Sequence, residues 1–180
     1  TNMRDFLLRY QRQITLEGFG IAAQEQLANA KVLVIGAGGL GCPILQYLAA
    51  AGVGHLGIAD YDKVSFSNLN RQVLFGQGDL GKSKVEIAAA KIKALNNLVQ
   101  ITIYQQQWDQ ALSIAHFPNY DIIVDATDNF ASRYLINDAS VLLNKPLVFG
   151  AVSKYEGQVA VFNKEEEGVA VNYRDLFPVP

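Results

Sequence analysis

The 180-residue chain is short of the residue types that build several classes of protein. Its single cysteine, Cys42, excludes an internal disulfide framework and any metal cluster made from thiolates alone. No apolar run approaches the roughly 18–20 residues needed to span a bilayer. The longest, such as "VLVI" (32–35), are strand-length. No basic, apolar, small-residue leader stands at the start, so a secretory signal is not expected and a cytoplasmic location is. Neither sign of charge is in excess: 15 basic residues face 17 acidic ones. That balance argues against a nucleic-acid groove or an anionic-membrane patch, but not against a small nucleotide, which needs only local charge.

What is present is a repeating alternation of short apolar runs and amphipathic segments. Strands are expected at 31–36, 55–60, 99–105, 120–126, 146–151 and 157–163. Helices are expected at 3–13, 17–28, 39–54, 82–95 and 130–144, the third stopping at Gly52 and Gly54. In the 82–95 helix, Val85, Ala88, Ala89, Ile92 and Leu95 fall on one stripe. The alternation implies parallel βαβ units: a Rossmann-like, doubly wound α/β fold, mostly parallel, with helices on both faces. No internal repeat or linker divides residues 1–180, so one domain is expected. The end, "YRDLFPVP", is apolar enough that Leu176 and Phe177 are expected to be buried.

The first strand runs into "GAGGLG", which places Gly36, Gly38 and Gly41 in G-x-G-x-x-G spacing at a strand-to-helix junction. Glycines there permit a tight turn and close phosphate approach, and the helix N-terminus favours an anion. The packing alternative is that they serve only close contact between helix and strand. Gly39 is an extra glycine in the loop. Asp60 ends the second strand, where an acid accepts hydrogen bonds from ribose hydroxyls. Asp62, in "DYDK", reads equally as a turn acid or as part of the site.

A dinucleotide site leaves further charges without a task. Arg71 follows in "SNLNRQ" (67–72), Lys84 opens the 82–95 helix, and Asp128 lies just beyond the fourth strand. Helix N-termini favour anions, so Lys82 and Lys84 are unfavourable there unless a phosphate joins them. Two cations beside a glycine loop suit a triphosphate. A nearby carboxylate suits Mg²⁺, which takes one or two carboxylates together with substrate phosphates.

Five motifs, "RYQRQ" (9–13), "GAGGLG" (36–41), "DYDKVSFSNLNRQ" (60–72), "GKSK" (81–84) and "DATDN" (125–129), resemble the HesA/MoeB/ThiF family, bacterial relatives of ubiquitin-activating enzymes, over residues 9–177. The resemblance implies ATP- and Mg²⁺-dependent adenylation of the C-terminal glycine of a ubiquitin-like sulfur-carrier protein ending in Gly-Gly, in thiamine or molybdopterin synthesis. The nucleotide site it implies takes in Gly36, Gly38, Gly39, Gly41, Asp60, Asp62, Ser67, Asn68, Leu69, Arg71, Lys84, Asp128 and Asn129. In it Asp60 holds the ribose, Asn68, Arg71 and Lys84 hold phosphates, and Asp128 holds Mg²⁺. Arg12 would reach the phosphates of a partner protomer, which implies a homodimer. The chemistry needs no general base, because the attacking carboxylate is already ionised at neutral pH.

The sequence departs from the family pattern in two places. Many members carry a zinc site of two Cys-x-x-Cys pairs; here Asn172 and Asp175 stand where the first pair falls, so no zinc is expected. Relatives also continue beyond this chain, which is therefore expected to lack a C-terminal part. Cys42 reads as a packed thiol, His55 and His116 as structural or surface residues, and Trp108 as packing. The alternatives are a related adenylating enzyme acting on a tRNA base or a peptide carboxylate, an NAD-dependent dehydrogenase, and a non-catalytic partner subunit.

Overall fold

Strand alternation is resolved directly in β1 (Lys31–Ile35): Val32 and Val34 face one side of a sheet, Leu33 and Ile35 the other. The computed structural model describes residues 3–178. Its strands are β1, β2 (His55–Ala59), β3 (Gln100–Tyr104), β4 (Ile122–Asp125), β5 (Leu147–Ser153) and β6 (Glu156–Phe162). They form one sheet in the order β3-β2-β1-β4-β5-β6. The first five are parallel and β6 returns antiparallel to β5. That return needs only a tight turn, with Lys154 at φ 53°. The chain leaves β1 toward β2 on one side and reaches β4 on the other, so a crevice opens at the carboxyl ends of β1 and β4.

Helices cover both faces. Helices α4 (Gly41–Ala51) and α5 (Lys84–Leu95) lie on the Val32/Val34 face, burying Leu45, Ala49, Val85, Ala88 and Ile92. On the opposite face α6 (Gln110–His116) and α7 (Phe130–Leu142) pack with Phe117, Ile123, Ile136 and Phe149. Each fully buried side chain of this size contributes about 1.5–3 kcal/mol. No helix among the described residues is long and apolar enough to cross a membrane.

The expected 3–13 helix is two: α1 (Met3–Arg9) and α2 (Gln11–Ile14), broken at Tyr10. The Tyr10 ring is buried beside Gly52, and its hydroxyl accepts from Asn96 Nδ2 at 2.8 Å. That anchor pulls the backbone out of helical geometry. Turns follow, with the Thr15 hydroxyl bonded to the Gln11 carbonyl, so α3 (Gly20–Asn29) starts three residues later than expected. Helix α6 was not expected from the sequence; Asp109 caps it by accepting from the Leu112 N–H at 2.8 Å. Leu95 is 44 % exposed because the stripe of α5 leaves the sheet in its last turn. Near the chain end, Asn172 and Asp175 form the capping box of a one-turn helix, α8 (Tyr173–Leu176). Phe177 packs on Tyr173, but Leu176 is 62 % exposed, contrary to expectation.

Candidate nucleotide site

The glycine loop sits where β1 meets α4. Gly36 has φ 100°, and a Cβ there would meet the Ala126 carbonyl of the β4 loop at 2.6 Å. A Cβ on Gly41 would collide with the Gly36 carbonyl. These two glycines allow β1, α4 and the β4 loop to touch, so for Gly41 the packing explanation holds. Gly38 and Gly39 differ: around them a Cβ would find only the side chains of Gln72 at 3.5 Å and Arg71 at 3.6 Å. Both line an open cleft of about 500 Å³ at the carboxyl ends of the strands.

Asp60 ties this loop to the end of β2. One carboxylate oxygen accepts from the Ala37 N–H and the other from the Asp62 N–H, each at 2.8 Å. Arg71 lies over Gly39 and donates from one terminal nitrogen to the Ser67 carbonyl at 3.0 Å and to Asn70 Oδ1 at 3.2 Å. Lys84 is the first residue of α5 and is 5 % exposed; its Nζ meets Asp62 Oδ2 at 3.0 Å. Asp62 therefore supplies the anion that a lysine at a helix N-terminus requires, a task the sequence alone assigns to a phosphate. Lys82 precedes the helix and is exposed.

On the β4 side, Asp128 is exposed to the cleft and has no hydrogen-bond or ion-pair partner among the described residues. A free carboxylate beside a phosphate-sized cradle is a donor set that suits Mg²⁺ better than a soft metal. Asn129 also lines the cleft, while its side chain caps α7 by accepting from the Ser132 N–H at 2.8 Å. Asp125, just inside β4, is fully buried. Its Oδ1 accepts from the Thr127 N–H and hydroxyl at 2.9 and 2.6 Å, while Oδ2 has no partner among the described residues. Burial pushes its carboxyl up, against the Thr127 hydrogen bonds and the charge of Arg133.

Gly36, Gly38, Gly39, Asp60, Asp62, Arg71, Lys84, Asp128 and Asn129 thus line one cleft. Ser67, Asn68, Leu69, Gly41 and Arg12 do not. Asn68 Oδ1 is turned inward to accept from the Ser65 N–H at 3.1 Å, and Ser67 Oγ meets Ser65 Oγ at 3.0 Å. Leu69 packs against the core. Arg12 is exposed on α2, whose Gln13 reaches the Ala51 carbonyl at the far end of α4, about 16 Å from the loop. Beyond the residues expected from the sequence, Gln72, Gln106, Gln107, Thr127, Ser132 and Arg133 also line the cleft. Gln72 closes "SNLNRQ" and Thr127 sits inside "DATDN", so both stood within quoted motifs. Arg133 and the two glutamines carry no local signal.

Cys42 is buried, its Sγ faces the Ala37 carbonyl at 3.5 Å, and burial pushes the thiol up, away from a thiolate. Trp108 is in the core, donates to Ser113 Oγ at 2.9 Å, and shows one side to the cleft. His55 bonds Thr102 Oγ1 at 2.8 Å, and the His116 ring packs on Tyr104.

The chain is similar to known proteins. The model of the ThiF family matches residues 10–180. A "Probable adenylyltransferase/sulfurtransferase MoeZ" of Mycobacterium tuberculosis is 48% identical over 178 residues, covering 98% of this chain and 45% of that protein. A "Sulfur carrier protein adenylyltransferase" of Thermus thermophilus is 48% identical over 181 residues, covering 98% of this chain and 66% of that protein. Among solved structures, E. coli MccB with ATP superposes with a TM-score of 0.71 at 29% identity, over 79% of this chain and 44% of that one. The chain spans between 38% and 66% of the length of these and other curated relatives, and less than half in most of them.

Proposed function

The chain belongs to the ThiF family, and on that premise we propose that residues 1–180 form the nucleotide-binding domain of an adenylyltransferase. It binds ATP with Mg²⁺ and adenylates the C-terminal glycine carboxylate of a ubiquitin-like sulfur-carrier protein ending in Gly-Gly. The observation that carries this reading is the meeting of Arg71, Lys84 and Asp128 around one glycine loop at the β1–β4 crevice. A dinucleotide has no use for that set, which weighs against a dehydrogenase. The relatives, a sulfur carrier protein adenylyltransferase among them, support the same reading.

In this reading the exposed N–H groups of the loop and the N-terminus of α4 receive phosphate oxygens. Asp60 keeps the loop in place and accepts from ribose hydroxyls. Arg71, hinged over Gly39, closes on the phosphates, and Lys84 exchanges Asp62 for a phosphate oxygen. Asp128 and the phosphates would hold Mg²⁺, which when bound neutralises charge on the leaving pyrophosphate. The acyl carboxylate attacks the α-phosphorus; one C(O)O–P bond forms, the bond to the β-phosphate bridge breaks, and pyrophosphate leaves. No proton moves in this step, so a base is not required. Arg12 is proposed to act across a homodimer, since its own cleft is at the other end of α4.

The test is carrier-dependent ATP–pyrophosphate exchange with carriers ending in Gly-Gly. Thermal stabilisation by ATP–Mg²⁺ is expected and stabilisation by NAD⁺ is not. A shift with NAD⁺ alone sinks the proposal.

A further inference from the structure

Arg133 brings a third cation to the cleft, from the opposite face of the sheet. Lys84 enters with α5 on the Val32/Val34 face; Arg133 stands in the first turn of α7, on the face of Phe149. Its guanidinium carbon lies 5.2 Å from the Phe130 ring centre and 5.6 Å from that of Phe149. Two aromatic rings hold the planar group in one place and attract it with their faces, but neither supplies a counter-ion. The Tyr173 hydroxyl lies against it, where the arginine works against the burial that pushes that hydroxyl up. Among the described residues Arg133 Nε is buried with no hydrogen-bond partner, and no carboxylate is within ion-pair distance of this side chain. The side chain lines the cleft with no carboxylate paired to it, so its charge is open to an anion from outside.

Adenylation brings two anions together. The loop N–H groups, Arg71 and Lys84 surround the place for phosphates, and Arg133 stands apart from them across the crevice. We infer that Arg133 binds the terminal carboxylate of the acyl substrate, holding one oxygen while the other faces the α-phosphate at the glycine loop. The inference rests on the adenylation reading and assigns the second anion's place within it. The nucleotide's own phosphates are the competing source of the same anionic oxygen.

Two peptides ending in Gly-Gly separate these sources, one with a free carboxylate and one with a C-terminal amide. Their binding is measured with a non-hydrolysable ATP analogue and Mg²⁺ present, and binding of the analogue is measured alone. The wild type is expected to prefer the acid by about tenfold or more, a charge-assisted hydrogen bond's worth. Arg133→Gln is expected to bind acid and amide alike, with analogue affinity within about twofold of wild type. Arg133→Lys, which keeps the charge and much of the stem, is expected to retain part of the preference. Persistence of the acid preference in Arg133→Gln, or its absence from the wild type, overturns the inference. Loss of analogue binding in Arg133→Gln assigns the residue to phosphates and overturns it too. Failure of the wild type to bind the analogue at all is a different result, and removes the adenylation reading itself.

Discussion

Lys84 Nζ and Asp62 Oδ2 are 3.0 Å apart, with the lysine side chain 6 % exposed and the aspartate half in solvent. The pair holds a buried cation in readiness at a helix N-terminus, facing a cleft that a phosphate fits.

Asp62→Asn is expected to leave Lys84 charged and unpaired. With the aspartate half exposed, the cost is about 1–2 kcal/mol, below the range for a fully buried pair. For a chain of this size that lowers Tm by roughly 2–8 °C. Saturating ATP–Mg²⁺ is expected to restore most of the loss, because a phosphate replaces the carboxylate. An equal loss with and without nucleotide would show that Lys84 does not meet phosphate.

The glycines of the loop divide by what surrounds them. Gly41→Ala puts a methyl into the Gly36 carbonyl and is expected to destabilise the fold by at least about 2 kcal/mol. Gly38→Ala projects into open cleft and is expected to keep Tm within a degree or two while weakening ATP binding. Thermal melts beside nucleotide titrations check both; a well-folded Gly41→Ala contradicts the packing role.

Arg71→Ala and Asp128→Ala touch no packed core. Each is expected to cut pyrophosphate exchange by about 10²–10³, or roughly 3–4 kcal/mol, by analogy with a lost oxyanion donor. The far-ultraviolet circular dichroism should be unchanged. Exchange at near-wild-type rates in either variant removes that residue from the mechanism.

Asp125 makes a prediction about pH. Its folded carboxyl is raised by burial above the ordinary 3.8 of the unfolded chain. It therefore favours the folded state most below that ordinary value, and the advantage fades as pH rises through the raised value. Asp125→Asn keeps an oxygen for Thr127 and carries no charge. Its Tm relative to wild type is expected to increase as pH rises from about 4 to 8. A difference independent of pH would mean that the buried group does not titrate in that range.

Local patterns were enough for much of the architecture. The unbroken apolar run of β1 and the strand–glycine–helix order of residues 31–51 imply a parallel sheet with a nucleotide-sized crevice, because these signals depend only on neighbours in sequence. The α6 segment is not legible in the same way, because it is only 7 residues long and its clearest sign is one capping aspartate, Asp109.

The site was legible where its residues lie on the loops following β1, β2 and β4, because chain topology brings those loops to one edge. Side-chain direction was not legible. Asn68 and Arg71 stand three residues apart in the same segment, yet Asn68 turns in to bond Ser65 and Arg71 turns out over Gly39. The sequence by itself determined the sheet, the crevice and the residue types at its rim. Only the tertiary structure decided that Asp62 occupies Lys84 and that Arg133, some fifty residues further on, faces the same cleft from the other side of the sheet. Such pairings depend on how α5 and α7 pack on opposite faces, and no spacing along the chain encodes that distance.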